Sequence, residues 1–191
     1  MTRFHYKLCN PLTDKKMMTD YLYTQRGELY LPDYKSVQNV IELCFAHGGV
    51  IACYAEDRLG GMGGFFLGEP SQNFANKKTA FIYVATISEP YRLTRMFRKG
   101  LVFMLHQFQE MNVQAIRMQA EDTNLYTQKL YGRFAQPIAK GKSLRGKNVI
   151  TFGSTVEEAL VYLQRGRRAQ HNVQLAVANL PAQAEGSQPH A

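Results

Sequence analysis

Residues 79–108 constrain this chain most: an apolar strand passes through Pro90-Tyr91-Arg92 into an amphipathic helix. Ala80, Phe81, Ile82, Tyr83 and Val84 are apolar on both faces of the strand, as expected of a strand covered on both sides and therefore central in its sheet. From Phe97 onward, Leu101, Met104, Phe108 and Met111 recur at helical spacing and form a core-facing stripe. Between strand and helix stand Arg92, Thr94, Arg95, Arg98 and Lys99. A helix start leaves backbone N–H groups without intrahelical partners and carries the positive end of the helix dipole. Cations and hydroxyls gathered there make an anion site, and phosphate is the natural occupant. The alternative is a solvated helix face, the usual fate of a run of charges.

The remaining segments read in order around this junction. Residues 3–8 alternate, with Phe4, Tyr6 and Leu8 toward one face, and form a first strand that Pro11 ends. Thr13 and Asp14 offer N-caps for a short helix through Met17, Met18, Tyr21 and Leu22; Gly27 and Pro32 break the chain; Ser36 caps a second helix, which Gly48-Gly49 stops. Residues 50–55 and 59–67 form a hairpin around Glu56-Asp57-Arg58. Gly60, Gly61, Gly63 and Gly64 lack the GxGxxG spacing of a nucleotide loop and instead mark a bulge or a close backbone approach. After a polar loop over 68–78 and the central strand, residues 113–120 form a strand with Ile116, Met118 and Ala120 inward. Glu121-Asp122-Thr123-Asn124 then opens a short helix through Leu130 and Tyr131. Residues 140–147 read as a basic hairpin-like loop, 149–152 as the last strand, and Ser154-Thr155-Val156-Glu157 as a capping box opening a helix to about Arg165. The order β, α, α, β, β, β, α, β, α, β and a final helix predicts an α+β fold: a mixed, mostly antiparallel central sheet flanked by helices. Residues 1–165 are expected to be one domain, and 166–191, polar and Ala/Gln-rich without periodicity, a mobile tail.

Composition narrows the function classes. Hydrophobic residues make up 45% and charged residues 20% of the 191, which is ordinary for a globular protein and excludes a disordered one. No apolar run reaches membrane-spanning length, and residues 1–10 hold no signal-peptide core. Cys9, Cys44 and Cys53, three in number and without CxxC spacing, read as reduced, buried thiols of a cytoplasmic protein. His5, His47, His106, His171 and His190 are scattered, so no metal site is expected. No Ser or Cys stands in a nucleophile-elbow setting. The net charge of +8 suits a polyanionic partner, whether nucleic acid or a phosphate-rich cofactor.

Two motifs decide between those partners. Ser88-Glu89-Pro90-Tyr91-Arg92-Leu93-Thr94-Arg95-Met96-Phe97 resembles the cofactor-binding segment of the GNAT superfamily of acetyl-CoA-dependent N-acetyltransferases, with Arg92 at the family's Gln/Arg position. Arg95 and Phe97 stand where that family places Gly and Gly/Ala, so the loop lacks the glycines that allow close backbone approach to pyrophosphate. Asn124-Leu125-Tyr126-Thr127-Gln128-Lys129-Leu130-Tyr131 is similar to the family's second segment: Asn124, Leu130 and Tyr131 keep their spacing, while Thr127 replaces Ala. The resemblance covers roughly residues 50–152.

What the resemblance implies is an N-acetyltransferase that moves an acetyl group from acetyl-CoA to a primary amine by direct attack. It places Thr86, Ile87, Arg92, Leu93, Thr94, Arg95, Met96, Phe97 and Asn124 against coenzyme A, with a backbone N–H near Thr86 to Ser88 facing the thioester oxygen. It gives Tyr131 the departing thiolate to protonate. A carboxylate must relieve the amine of its proton: Glu89 is the first candidate, then Glu121 and Asp122. On their own, Asn124 reads equally as a helix N-cap and Tyr131 as a core aromatic. The acceptor stays open among small molecule, peptide amine and protein lysine, as do a longer acyl donor and the oligomeric state. The alternative is a catalytically weak GNAT-fold binding module whose basic patches, Lys140 to Lys147 foremost, contact protein or nucleic acid.

Overall fold

The structure, a computed structural model, describes residues 3–165; the tail predicted for 166–191 lies outside them. Seven strands form one sheet: β1 (Phe4–Leu8), β2 (Gly48–Ala55), β3 (Arg58–Leu67), β4 (Thr79–Ile87), β5 (Ala115–Glu121), β6 (Gln136–Lys142) and β7 (Asn148–Thr155), in the order β1-β2-β3-β4-β5-β7-β6. The helices are α1 (Lys15–Thr24), α2 (Tyr34–His47), α3 (Met96–Glu110), α4 (Leu125–Tyr131) and α5 (Val156–Arg165). The mostly antiparallel α+β reading is therefore what the chain adopts. The contacts divide the described residues into two compact units, 3–67 with 82–107, and 68–81 with 108–165.

In the first unit β1, β2 and β3 pair antiparallel, and β2 turns into β3 through Glu56 and Asp57, Glu56 in the left-handed region. The glycine-dense β3 behaves as its spacing predicts. A register shift falls at Cys53/Tyr54, and a Cβ on Gly64 would stand 2.7 Å from Cys44 Sγ of α2 and 2.9 Å from Val84 Cγ1 of β4. Glycine here lets α2 lie close on the sheet. Met18, Leu22, Ile41, Phe65 and Phe66 fill the core of this unit. The caps differ from expectation. Asp33, not Ser36, caps α2, accepting the Ser36 N–H at 2.7 Å, so the helix begins two residues before the predicted cap. Asp14 sits at the N-cap of α1, but its carboxylate instead takes Lys7 Nζ and the Asn10 N–H.

In the second unit β5 alternates as predicted, with Ile116, Met118 and Ala120 buried, and pairs antiparallel with β7. Two expectations are corrected. Gln136–Lys142, read in part as the start of a loop, is the strand β6, antiparallel to β7, which makes seven strands rather than six. Its buried residues are only Pro137 and Ala139, too small a hydrophobic signal to reveal a strand among polar neighbours. The capping box is Thr155/Glu158, one residue later than Ser154/Glu157. Thr155 Oγ1 accepts the Glu158 N–H at 3.1 Å, while Glu158 Oε2 accepts the Thr155 N–H at 3.3 Å.

Among the described residues no helix is long and apolar enough to cross a membrane, and no three His, Cys, Asp or Glu side chains gather as a metal site.

Candidate active site

The first group of predicted site residues lies where β4 ends. Ser88 N–H donates to Gly60 O of β3 at 2.8 Å, which closes the strand. Glu89-Pro90-Tyr91 then makes one turn of 3-10 helix, with Tyr91 N–H on Ser88 O and Arg92 N–H on Glu89 O. Proline in the first turn of that helix gives up a donor that has no partner there in any case. Gly60 makes room for the turn: a Cβ there would meet the Tyr91 ring at 2.6 Å. Tyr6 reaches over from β1 and donates its hydroxyl to Met96 O at 3.3 Å, fixing the first turn of α3.

Thr94 organises that helix start. Its hydroxyl donates to Tyr91 O at 2.6 Å and accepts the Met96 N–H at 3.2 Å. The first N–H to bond back along α3 is that of Lys99, to Arg95 O. The Phe97 amide between them has no acceptor among the described residues. Arg92, Leu93, Thr94 and Arg95 are exposed, whereas the Met96 side chain is fully buried and its N–H and O are already bonded to Thr94 and Tyr6. Arg95 and Lys99 form no ion pair among the described residues. Exposed cations beside a spare helix amide therefore stand here, and they fit a phosphate although the loop glycines are missing.

Toward the strand the cluster becomes polar. Thr86 is 7% exposed and its Oγ1 has no hydrogen-bond partner. Ser88 Oγ lies 3.0 Å from the Tyr21 hydroxyl of α1. Burial holds the Tyr21 phenol above its ordinary range, opposed by Ser88 and by the charge of Arg92. Arg92 Nε donates to Ile87 O at 3.1 Å, and its terminal nitrogen pairs with Glu28. The Ser88 N–H is held by Gly60 and so is not open to a thioester oxygen. Glu89 is exposed and its carboxylate makes no bond among the described residues.

The second group belongs to the other unit. Asn124 caps α4, its Oδ1 accepting the Thr127 N–H at 3.0 Å. The cap reading is thus realised, and it leaves the side-chain amide N–H₂ for any ligand. Gln128, buried, donates to both Glu121 O and Asp122 O and so ties α4 to the end of β5; sequence reasoning gave Gln128 no role. The Asp122 carboxylate is exposed. Tyr131 packs edge-on against Phe134 and Phe152, at 6.2 and 5.9 Å between ring centres. Burial pushes its phenol up to about 12, and the hydroxyl bonds to no described residue. Glu28 was not singled out from the sequence, and nothing in its spacing marks it.

No family model matches the chain, and no curated protein matches it in sequence. Solved structures do match. A Desulfovibrio desulfuricans protein described as an acetyltransferase of the GNAT family is similar over 81% of this chain and 99% of its own, with TM-score 0.63 and 13% identity. Ard1 from Thermoplasma volcanium is similar over 80% and 97%, with TM-score 0.61 and 13% identity. A Bacillus subtilis acetyltransferase in complex with CoA is similar over 80% and 99%, with TM-score 0.60 and 12% identity. The chain has the fold of the GNAT acetyltransferases, as its two sequence motifs imply.

Proposed function

We propose that this chain is an acetyl-CoA-dependent N-acetyltransferase acting on a primary amine. The observation that carries the reading is the β4–α3 junction, where exposed Arg92 and Arg95 flank a helix start with a spare amide, in a chain with this fold. Similar structures were solved with CoA, the B. subtilis enzyme and RimL, a ribosomal L7/L12 α-N-protein acetyltransferase.

In this reading Arg92, Arg95 and the Phe97 amide hold phosphate, Thr94 keeps the helix start in place, and Asn124 bonds the pantetheine arm. The donor supplies an activated thioester, and this chain's residues do the rest. A backbone N–H at the end of β4 stabilises the oxyanion that forms on the carbonyl. Glu89, unpaired and exposed, takes the amine proton, with Asp122 the next candidate. Tyr131 donates to the departing sulfur. Three buried free thiols suit a reducing compartment such as the cytoplasm.

Calorimetry with CoA tests the reading. Binding in the micromolar range, about −8 kcal/mol, weakened by Arg92→Ala and Arg95→Ala in a folded protein, supports it. Loss of one charge-assisted bond costs about 1.5–3 kcal/mol, or roughly 10- to 100-fold in Kd. No binding by folded wild type removes the enzyme and leaves the binding module, whose salt-sensitive partner Lys142→Ala and Arg145→Ala would release.

A further inference from the structure

Arg92 already has an anion. Its guanidinium bridges Ile87 O at the end of β4 and the Glu28 carboxylate in the segment between α1 and α2. We propose that Glu28 is the resident counter-ion of the donor site: it occupies the Arg92 guanidinium while phosphate is absent, competes with it, and is displaced when phosphate arrives. The inference rests on the proposed contact of Arg92 with cofactor phosphate.

Three observations support it. Both side chains of the pair are about half exposed, 41% for Arg92 and 54% for Glu28, so solvent screens the pair and an incoming ligand can reach it. Phosphate carries more charge and more acceptor oxygens than a carboxylate, so it wins the exchange. Once it is bound, the arginine's charge is neutralised and the nearby Glu28 carboxylate meets a like charge. The segment that carries Glu28 is a run of turns held at its far end by the buried Leu31. It is folded by its own short-range bonds, Glu28 N–H to Gln25 O and Leu31 N–H to Arg26 O, with Arg26 stacked 4.1 Å over the Tyr23 ring. The Ile87 anchor keeps Arg92 in place through the exchange.

The test uses the full chain, calorimetry with CoA and with inorganic pyrophosphate, and hydrogen exchange across residues 25–31. Glu28→Gln keeps the shape and removes the competing charge. Both probes are expected to bind it about two- to five-fold tighter than wild type, the scale of one exposed ion pair. The gain should vanish when Arg92→Ala is added. A merely structural role predicts the opposite sign, weaker binding. In wild type, saturating CoA is expected to raise exchange over 25–31, and in Glu28→Gln that segment exchanges fast with or without CoA. Unchanged or weaker binding by folded Glu28→Gln, or protection of 25–31 by CoA, overturns the inference while leaving the acetyltransferase reading intact. Failure of wild type to bind CoA removes that reading, and this one with it.

Discussion

Tyr131 shows how environment decides which role a side chain can take. Its phenol is packed between Phe134 and Phe152, and burial lifts its proton affinity to about 12. A free thiol ionises near ~8.5. Complete transfer of the phenolic proton to a thiolate is then uphill. In the proposed acetyl transfer the role this leaves is a strong hydrogen bond to the departing sulfur, with the proton finally coming from solvent. Tyr131→Phe is expected to lower kcat by about 10²-fold, the lower end for a positioned acid–base group, with CoA affinity within two-fold. The wild-type profile of kcat should show no loss from this group until the pH approaches 12, because the phenol stays protonated below its raised value. Steady-state rates beside calorimetry check both. A fall in CoA affinity as large as the fall in kcat would return Tyr131 to the core aromatic that its sequence context equally allowed.

At the level of elements, β3 determines where the donor turn sits. Gly60 lies under Tyr91, and a methyl there would come within 2.6 Å of the ring and 2.9 Å of Met96 Cε. Gly60→Ala therefore has to push the 3-10 turn outward. An overpacking cost of about 1–3 kcal/mol is expected, together with weaker CoA binding, since Arg92 and Thr94 follow Tyr91. Denaturant unfolding and calorimetry on the same variant separate the two effects; unchanged affinity would mean that the turn does not position the phosphate cations. Elements with strong periodicity were legible in the sequence, β4, α3 and β5 above all, because burial on fixed faces leaves a pattern that spacing reveals. The strand β6 was not, since Pro137 and Ala139 bury too little apolar surface and its exposed positions carry Lys140 and Lys142. Caps were legible to within one to three residues, because several neighbouring Ser, Thr and Asp compete and tertiary contacts choose among them; Asp14 went to Lys7 rather than to its helix. The run of cations at the α3 start was readable for the same local reason. The Glu28–Arg92 and Tyr21–Ser88 contacts join residues 64 and 67 apart, and no local pattern records them.

On the scale of the whole molecule, the buried ionisable groups set an alkaline limit to stability. Burial raises the thiols of Cys9, Cys44 and Cys53 to about 12 and holds the phenols of Tyr6, Tyr21 and Tyr131 above their ordinary value near 10. In the unfolded chain thiols ionise near ~8.5 and phenols near ~10. Between those values and the raised ones, the folded state holds protons that the unfolded state has released. Stability is thus complete below about pH 8.5 and declines as pH rises through the raised values, by up to ~1.4 kcal/mol per pH unit for each group affected. The thiols act first and the phenols follow above pH 10. Asp14 works in the other direction: Lys7 and the Asn10 amide hold its carboxyl below the usual range, so its contribution is present above the unfolded carboxylate value and fades as pH falls below it. Urea midpoints measured from pH 5 to 11 should therefore form a plateau that bends downward from about pH 8.5–9. Replacing Cys44 by Ala should remove part of the early bend while lowering the plateau through the cavity it leaves, since Cys44 has no exposure and packs against Gly64. A thiol reagent at pH 8 should find no reactive cysteine in the native protein and three after unfolding. A midpoint that stays level to pH 11, or a native thiol that reacts promptly, would mean that the interior takes up water far more readily than its packing implies.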